Sequence, residues 1–381
     1  MNLADIPGMA PRAEATAKRR VAFALIAGLV LASCAAPPAP RPPEAPSMTL
    51  NTVYTADGAE LPLRTFLPAG TPRAVIVALH GFNDYSNTYS DPGLFFMAHG
   101  IGLYAYDQRG FGDAPDRGLW VGQRLLIDDL KLVVALVHRR HPGVPLFIVG
   151  DSMGAAIVMV AMAGPDPPAT DGVILSAPAV RGRDTLTALE RGVLDVLSSA
   201  LPWFTVTGQG LNILPSDNFA MLRQLYEDPL IIKHTRLDTL RGLVDLMDDA
   251  SEAARRLTVP ALILAGQRDE IITPVPTCLM LARLPPRPPG AWRFVLYPTG
   301  YHMLLRDREA PRVMTDIERW IDDRAAPLPS GDERLPAGTA SMVRAIADLP
   351  TCRKGLDALT EHPEFAALRA PSSETAARPA P

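Results

Sequence analysis

Three residues have the types and the order needed for acyl transfer through a serine. Ser152 stands in "GDSMG", residues 150–154, between one apolar run and the start of another. A serine on a sharp strand-to-helix turn needs glycine two positions away on either side, because a Cβ there would clash. A serine hydroxyl is a weak nucleophile and needs a base, itself oriented by a carboxylate. Of the seven histidines, only His302, in "PTGYHMLLRD", lies just past the last predicted strand. Asp269, in "ILAGQRDEII", lies just past the strand before it. Taken singly, Asp269 reads equally well as a helix N-cap before Ile271, and His302 as an ordinary core or surface histidine. All three at the ends of successive strands are hard to obtain by accident. The developing negative charge would need two backbone N–H groups. One is expected from Met153, the residue after the nucleophile, and the other from Phe82 in "HGF".

The elements that must position these residues are legible as alternating strand and helix signals. "AVIVALHG" (74–81), "GLYAYDQRG" (102–110), "PLFIVG" (145–150), "GVILSAPA" (172–179), "PALILAG" (260–266) and "WRFVLYP" (292–298) are apolar runs of strand length. Continuous apolar runs mark strands buried on both faces. "NTVYTADGAELPLRTFLPA" reads as a hairpin turning at Asp57-Gly58. Residues 122–140 form an amphipathic helix with Leu126, Leu130, Val133 and Val137 on one stripe, and a last helix spans roughly 311–323. The pattern predicts an α/β fold: a mostly parallel sheet flanked by helices. Between the strands ending near Ala179 and beginning near Pro260 lies a helical stretch too long for a loop. It is expected to be a cap, about 180–257, inserted before the last two strands. Within it, "LPWFTVTGQGLNILPSDNFAML" (201–222) is apolar, and Trp203 and Phe204 are candidate liners of an acyl channel. The same residues would serve equally to fasten the cap to the core.

Composition limits the partners. The net charge is −4 with basic residues scattered, so nucleic acid is not an expected partner. No pattern asks for a cofactor or a metal. There are 39 prolines in 381 residues, twice the usual share, gathered at 37–46, 285–289 and the C-terminal end. Lys18, Arg19 and Arg20 precede the apolar run "VAFALIAGLVLA", too short to span a membrane and suited to a secretory signal. It ends in "LASC", which resembles the lipobox of bacterial lipoproteins, with Cys34 as the lipidated residue. Residues 1–34 are expected to be a signal peptide, and 35–48 an extended proline tether. Ala35 after the cysteine is not an Asp retention signal. The expected location is therefore the cell envelope, at the periplasmic face of the outer membrane. Residues 49–325 would form the folded domain and 326–381 a Pro-rich, partly disordered tail. An oxidising envelope leaves a Cys278–Cys352 disulfide open, though nothing in the sequence brings the two together.

Seven stretches together carry a family resemblance: "HGFNDYSNTY", "YDQRGFG", "GDSMGA", "LSAPA", "EDPLI", "LILAGQRDEII" and "GYHMLLRD". Over about 50–325 the chain resembles the monoglyceride lipase and lysophospholipase branch of the α/β-hydrolases, the group classed with serine aminopeptidases. The order Ser152, Asp269, His302 is that fold's order. The resemblance implies a serine esterase acting on acyl glycerols or similar lipids under a helical cap, with Phe82 and Met153 as oxyanion donors. The chain departs from the family pattern at Asp84-Tyr85-Ser86, often Glu-His-Ser, at Phe111, often His, and at Ala114, often Ser. Two other readings use the same sequence. A peptidase of the proline iminopeptidase kind would need an acidic cap anchor, for which Glu190, Asp195 and Glu227 are the candidates. A non-catalytic envelope binding protein would have no need of Ser152, Asp269 and His302.

Overall fold

The computed structural model describes residues 45–208, 210, 212–285, 291–335 and 342–368. Cys34, the apolar run before it and the tether up to residue 44 lie outside the described residues. The domain begins earlier than the sequence suggests. Strand β1 (Ser47–Met48) pairs antiparallel with β2 (Thr52–Tyr54), which pairs with β3 (Glu60–Phe66). Residues 47–48, expected to be tether, are thus the first sheet residues. The β2–β3 turn holds Gly58 at φ 81°, the left-handed conformation glycine adopts without penalty.

The chain then alternates. In order come β4 (Ala74–Leu79), α1 (Ser90–Ala98), β5 (Ile101–Tyr106), α2 (Gln123–Arg140), β6 (Leu146–Asp151), α3 (Met153–Ala163) and β7 (Gly172–Ser176). The cap carries α4 (Ala188–Ala200), β8 (Thr205–Val206), α5 (Phe219–Glu227), β9 (Thr235–Arg236) and α6 (Leu237–Ala253). After it come β10 (Ala261–Gly266), α7 (Pro274–Arg283), β11 (Trp292–Tyr297), α8 (Ala310–Asp322) and β12 (Glu333–Arg334). Three short helices follow, α9 (Met342–Ala347), α10 (Pro350–Arg353) and α11 (Leu356–Leu359). The sheet order is β1-β2-β3-β5-β4-β6-β7-β10-β11-β12. The six strands from β5 to β11 in that order are parallel.

Every residue of β4, β5, β6, β7 and β10 is buried. Helices cover both faces, which is why these strands read as continuous apolar runs. On one face Leu126, Leu130, Val133 and Val137 of α2 join α3, α6 and α7 in one core. On the other, Phe96 of α1 and Ile317 and Trp320 of α8 form the second.

Two further boundaries differ from the sequence reading. The C-terminal half of α6 is core and not cap: Leu246, Ala250 and Ala253 are buried in the cluster that holds α3. The segment from 326, read as a tail, is folded over its described residues. β12 pairs antiparallel with β11. Ile346, Leu349, Cys352, Leu359 and Phe365 are buried in the same core as α7, and Cys352 is disulfide-bonded to Cys278 of α7. These five side chains and Ala347, spread over the described residues 342–368, are enough to dock helices that would not be stable alone.

Candidate active site

Ser152 follows β6 directly and caps α3 with φ 51° and ψ −110°. A non-glycine residue in this region is strained by about 1–3 kcal/mol and must be held there by its surroundings. Ser152 N–H donates to Ser176 O at 2.9 Å. Its carbonyl accepts from Ala156 and Ala179 N–H, both at 3.1 Å. The flanking glycines are sterically required. A Cβ on Gly154 would overlap the Leu79 carbonyl, and one on Gly150 the backbone of Ala155. Gly81 is different: a Cβ there would sit at ordinary contact, 3.5 Å from the Ser152 Cβ.

Asp269 lies in the loop after β10, and both its oxygens are engaged. Oδ1 accepts the N–H groups of Ile271 and Ile272 at 2.8 and 2.9 Å. Oδ2 accepts from His302 Nδ1 at 2.8 Å. A carboxylate only accepts, so Nδ1 donates and Nε2 is left as the free ring nitrogen. Both side chains are buried. Burial pulls the His302 pKa down, but the charge of Asp269 and its hydrogen bond, then the charges of Asp151 and Asp307, more than offset this, and the net shift is upward. Asp151, beside the nucleophile, is pushed up by burial against weaker opposing pulls from His302, Arg306 and the Ser176 hydroxyl.

Ser152 and His302 line one cavity of about 300 Å³. Its apolar wall includes Phe82, Leu243, Met247, Ile271 and Met303. Its polar residues include Asp84, Asp151, Arg181 and Arg306. Arg306 Nη2 donates to Asp84 Oδ2 at 2.5 Å, an almost fully buried pair. The backbone N–H groups of Phe82 and Met153 have no hydrogen-bond partner among the described residues. Met153 opens α3, so its N–H also sits at the positive end of the helix dipole.

The structure therefore gathers Ser152, His302, Asp269, Phe82 and Met153 at one end of the sheet. It does not bring Trp203 and Phe204 there. They are 62% and 55% exposed and are not among the residues that line the cavity. They lie on the segment after α4, whose apolar side chains mostly face outward: of α4 only Ser198 is buried. The cavity's own wall comes from α6, from Phe82 in the loop after β4, and from the loops bearing Asp269 and His302. Arg306 was within sight in the sequence, one turn beyond His302, but its pairing with Asp84 spans 222 positions. None of Glu190, Asp195 and Glu227 lines the cavity. Glu190 instead forms the capping box of α4 with Thr187 and an ion pair with Arg181. Among the described residues no cluster of His, Cys, Asp or Glu could hold a metal ion.

Known proteins share this arrangement of elements. A family model described as serine aminopeptidase, S33, matches residues 70–309. A monoacylglycerol lipase of Mycolicibacterium smegmatis is 26% identical over 267 residues, covering 69% of this chain and 93% of the relative. The human monoglyceride lipase is 28% identical over 324 residues, covering 80% and 97%. Among solved structures, a soluble variant of the Saccharomyces cerevisiae monoglyceride lipase superposes with a TM-score of 0.61 at 21% identity, covering 77% of this chain and 100% of the other. The Paleococcus ferrophilus monoacylglycerol lipase gives 0.59 at 23%, covering 70% and 99%. With the family model spanning well over half of its length, the chain belongs to the serine aminopeptidase S33 family of α/β-hydrolases.

Proposed function

We propose that this protein is a serine carboxylic-ester hydrolase acting on monoacylglycerols or lysophospholipids, held at a membrane by a lipid anchor on Cys34. The observation that carries the reading is the pairing of Asp269-bound His302 with the strained Ser152 in one cavity with a largely apolar wall. In the proposed reaction His302 Nε2 takes the Ser152 hydroxyl proton as Oγ attacks the ester carbonyl carbon. The carbonyl oxygen takes up the negative charge, and the N–H groups of Phe82 and Met153 stabilise it. The intermediate collapses, the C–O bond to the alcohol breaks, and His302 returns its proton to the leaving oxygen. Water then repeats the sequence on the acyl-serine, releasing the fatty acid and restoring Ser152. Asp269 holds the imidazole and stabilises its protonated form without itself taking the proton.

The acyl chain is assigned to the wall formed by Phe82, Leu243, Met247, Ile271 and Met303. The polar head faces Asp84, Asp151 and Arg306. The curated relatives named as monoglyceride lipases support the substrate class. The aminopeptidase reading lacks a cap acid in the cavity to receive a free amine. The anchor rests on "LASC" alone, outside the described residues. A Cys34→Ala chain made in a Gram-negative host should lose fatty-acid labelling; labelling that persists would remove the anchor from this reading.

The central test is kcat/KM against acyl length with soluble esters, for wild type and Ser152→Ala. The wild type should improve from acetyl to medium-chain esters, since each buried methylene contributes about 0.8 kcal/mol until the wall is covered. Ser152→Ala should abolish both turnover and fluorophosphonate labelling while remaining folded. A near-normal rate in Ser152→Ala would overturn the mechanism, and a steady fall from acetyl onward would overturn the lipid substrate.

A further inference from the structure

The cap is joined to the His302 loop by one short segment, and the joint is unusually complete. Leu214 N–H donates to Glu270 Oε2 at 2.8 Å, next to Asp269. The Pro215 carbonyl accepts the N–H groups of both His302 and Met303, each at 3.1 Å. Ser216 Oγ donates to Asp307 Oδ1 at 2.6 Å, while Asp307 Oδ2 accepts Tyr301 N–H at 2.8 Å. Asp217 Oδ1 accepts Arg308 N–H at 2.9 Å. Asn218 Nδ2 donates to the Arg306 carbonyl at 2.9 Å, and Asn218 N–H donates back to Ser216 Oγ at 3.1 Å. Ser216 is fully buried and Asp307 nearly so. Five consecutive cap residues thus satisfy backbone or side-chain groups on the loop between β11 and α8, or beside Asp269.

We infer that residues 214–218 are a strap that positions His302, with Ser216 as the positioning residue. This rests on the proposed role of His302 as base. The bond to Asp269 fixes the tautomer and one edge of the imidazole, but it does not fix the backbone that carries the ring. His302 sits on a loop, and loops are the parts that open at least cost. Pro215 takes up the two N–H groups that a free loop would offer to water. Ser216 and Asp307 tie the residue before His302 to the same point. Asp307, pushed up to about 6 chiefly by burial, still accepts two hydrogen bonds there. The cap therefore contributes to the rate constant of the chemical step as well as to substrate shape. A cap that served only to admit substrate would change KM alone.

The test uses the full chain and a soluble p-nitrophenyl butyrate assay, with active-site titration by a fluorophosphonate. Titration separates fewer working molecules from slower ones. Ser216→Ala should lower kcat per titrated site by roughly tenfold, short of the hundredfold that a misplacement of about 1 Å can cost, with KM unchanged. Glu270→Ala removes the acceptor of Leu214 N–H at an exposed position that does not threaten folding, and should lower kcat per site by about two- to threefold. If Ser216→Ala fails to fold, Glu270→Ala decides. An unchanged kcat per site, a loss confined to the number of titratable sites, or a rise in KM with kcat retained would each overturn the strap. Ser152→Ala, run alongside, keeps the two readings apart. If it is inactive while the strap variants turn over normally, only the strap falls. If it remains active, the role of His302 falls and takes the strap with it.

Discussion

The outer cap and the C-terminal helices are both additions to one side of the sheet, yet they treat apolar side chains in opposite ways. Leu189, Val196, Trp203, Phe204, Phe219 and Tyr226 of the cap are exposed. Ile346, Leu349, Cys352, Leu359 and Phe365 of the C-terminal segment are buried against α7. Glu364 adds ion pairs to Arg255 and Arg283, so the segment also grips the chain entering β10. Apolar area left in water forgoes about 25 cal/mol per Å². The C-terminal segment recovers that term as stability. The cap forgoes it at each of these positions. Amphipathic composition marks a face as apolar without saying what covers it.

The largest expected effect lies at the disulfide. Replacing Cys278 and Cys352 together by Ser releases a closure of 74 positions, for which chain entropy predicts a loss of about 4 kcal/mol. Urea unfolding of the two forms checks this; equal midpoints would mean that the C-terminal segment is as dispensable as a tail. Phe365→Ala should cost about 3 kcal/mol by the same measurement, since a fully buried aromatic ring leaves a cavity. Its kcat per titrated site should be that of wild type. Trp203→Glu should leave stability within about 0.5 kcal/mol, as expected of a surface change. Hydrolysis of soluble esters should also be unchanged, because Trp203 does not line the cavity. Hydrolysis of a monoacylglycerol embedded in phospholipid vesicles should fall by roughly tenfold, the loss of one partly buried aromatic contact. A Trp203→Glu protein destabilised as much as Phe365→Ala would erase the contrast.

The smallest expected effect lies in pH. His302 must be neutral to act as base, and the carboxylates of Asp269, Asp151 and Asp307 raise its pKa. The acid limb of kcat/KM should therefore lie above the ordinary imidazole range. Asp151→Asn removes one of the charges that favour the imidazolium, so the limb should move to lower pH, by less than about one unit. The cysteine double variant, measured beside it, should not move the limb at all. Movement in the cysteine variant would show that the C-terminal segment reaches the site's electrostatics and is more than a buttress.

The sheet was legible because burial on both faces forces unbroken apolar runs, as in Ala74–Leu79 and Leu146–Asp151. Ser152, Asp269 and His302 were legible because strand ends are where this fold puts reactive groups. The elbow added its own signature, since the two glycines are fixed by contacts with Leu79 and Ala155. What escaped depends on distant partners. Ser216 looks like one polar residue in a mostly apolar stretch, and its partner Asp307 lies 91 positions away. The helices after Met342 run four to six residues, too short for a periodic pattern to show. Trp203 and Phe204 have the types suited to a channel, but residue type does not distinguish the inner from the outer surface of a cap.

The bond between Cys278 and Cys352 also changes what a protease can do. It closes a covalent ring that contains β11, His302 and α8 and leaves Ser152 and Asp269 outside. A single backbone cut anywhere between the two cysteines yields two chains but one molecule. If the cut falls ahead of residue 302, the nucleophile and the acid travel on one chain and the base on the other, joined by sulfur. On a gel such a nicked enzyme runs as a single band until a reductant is added.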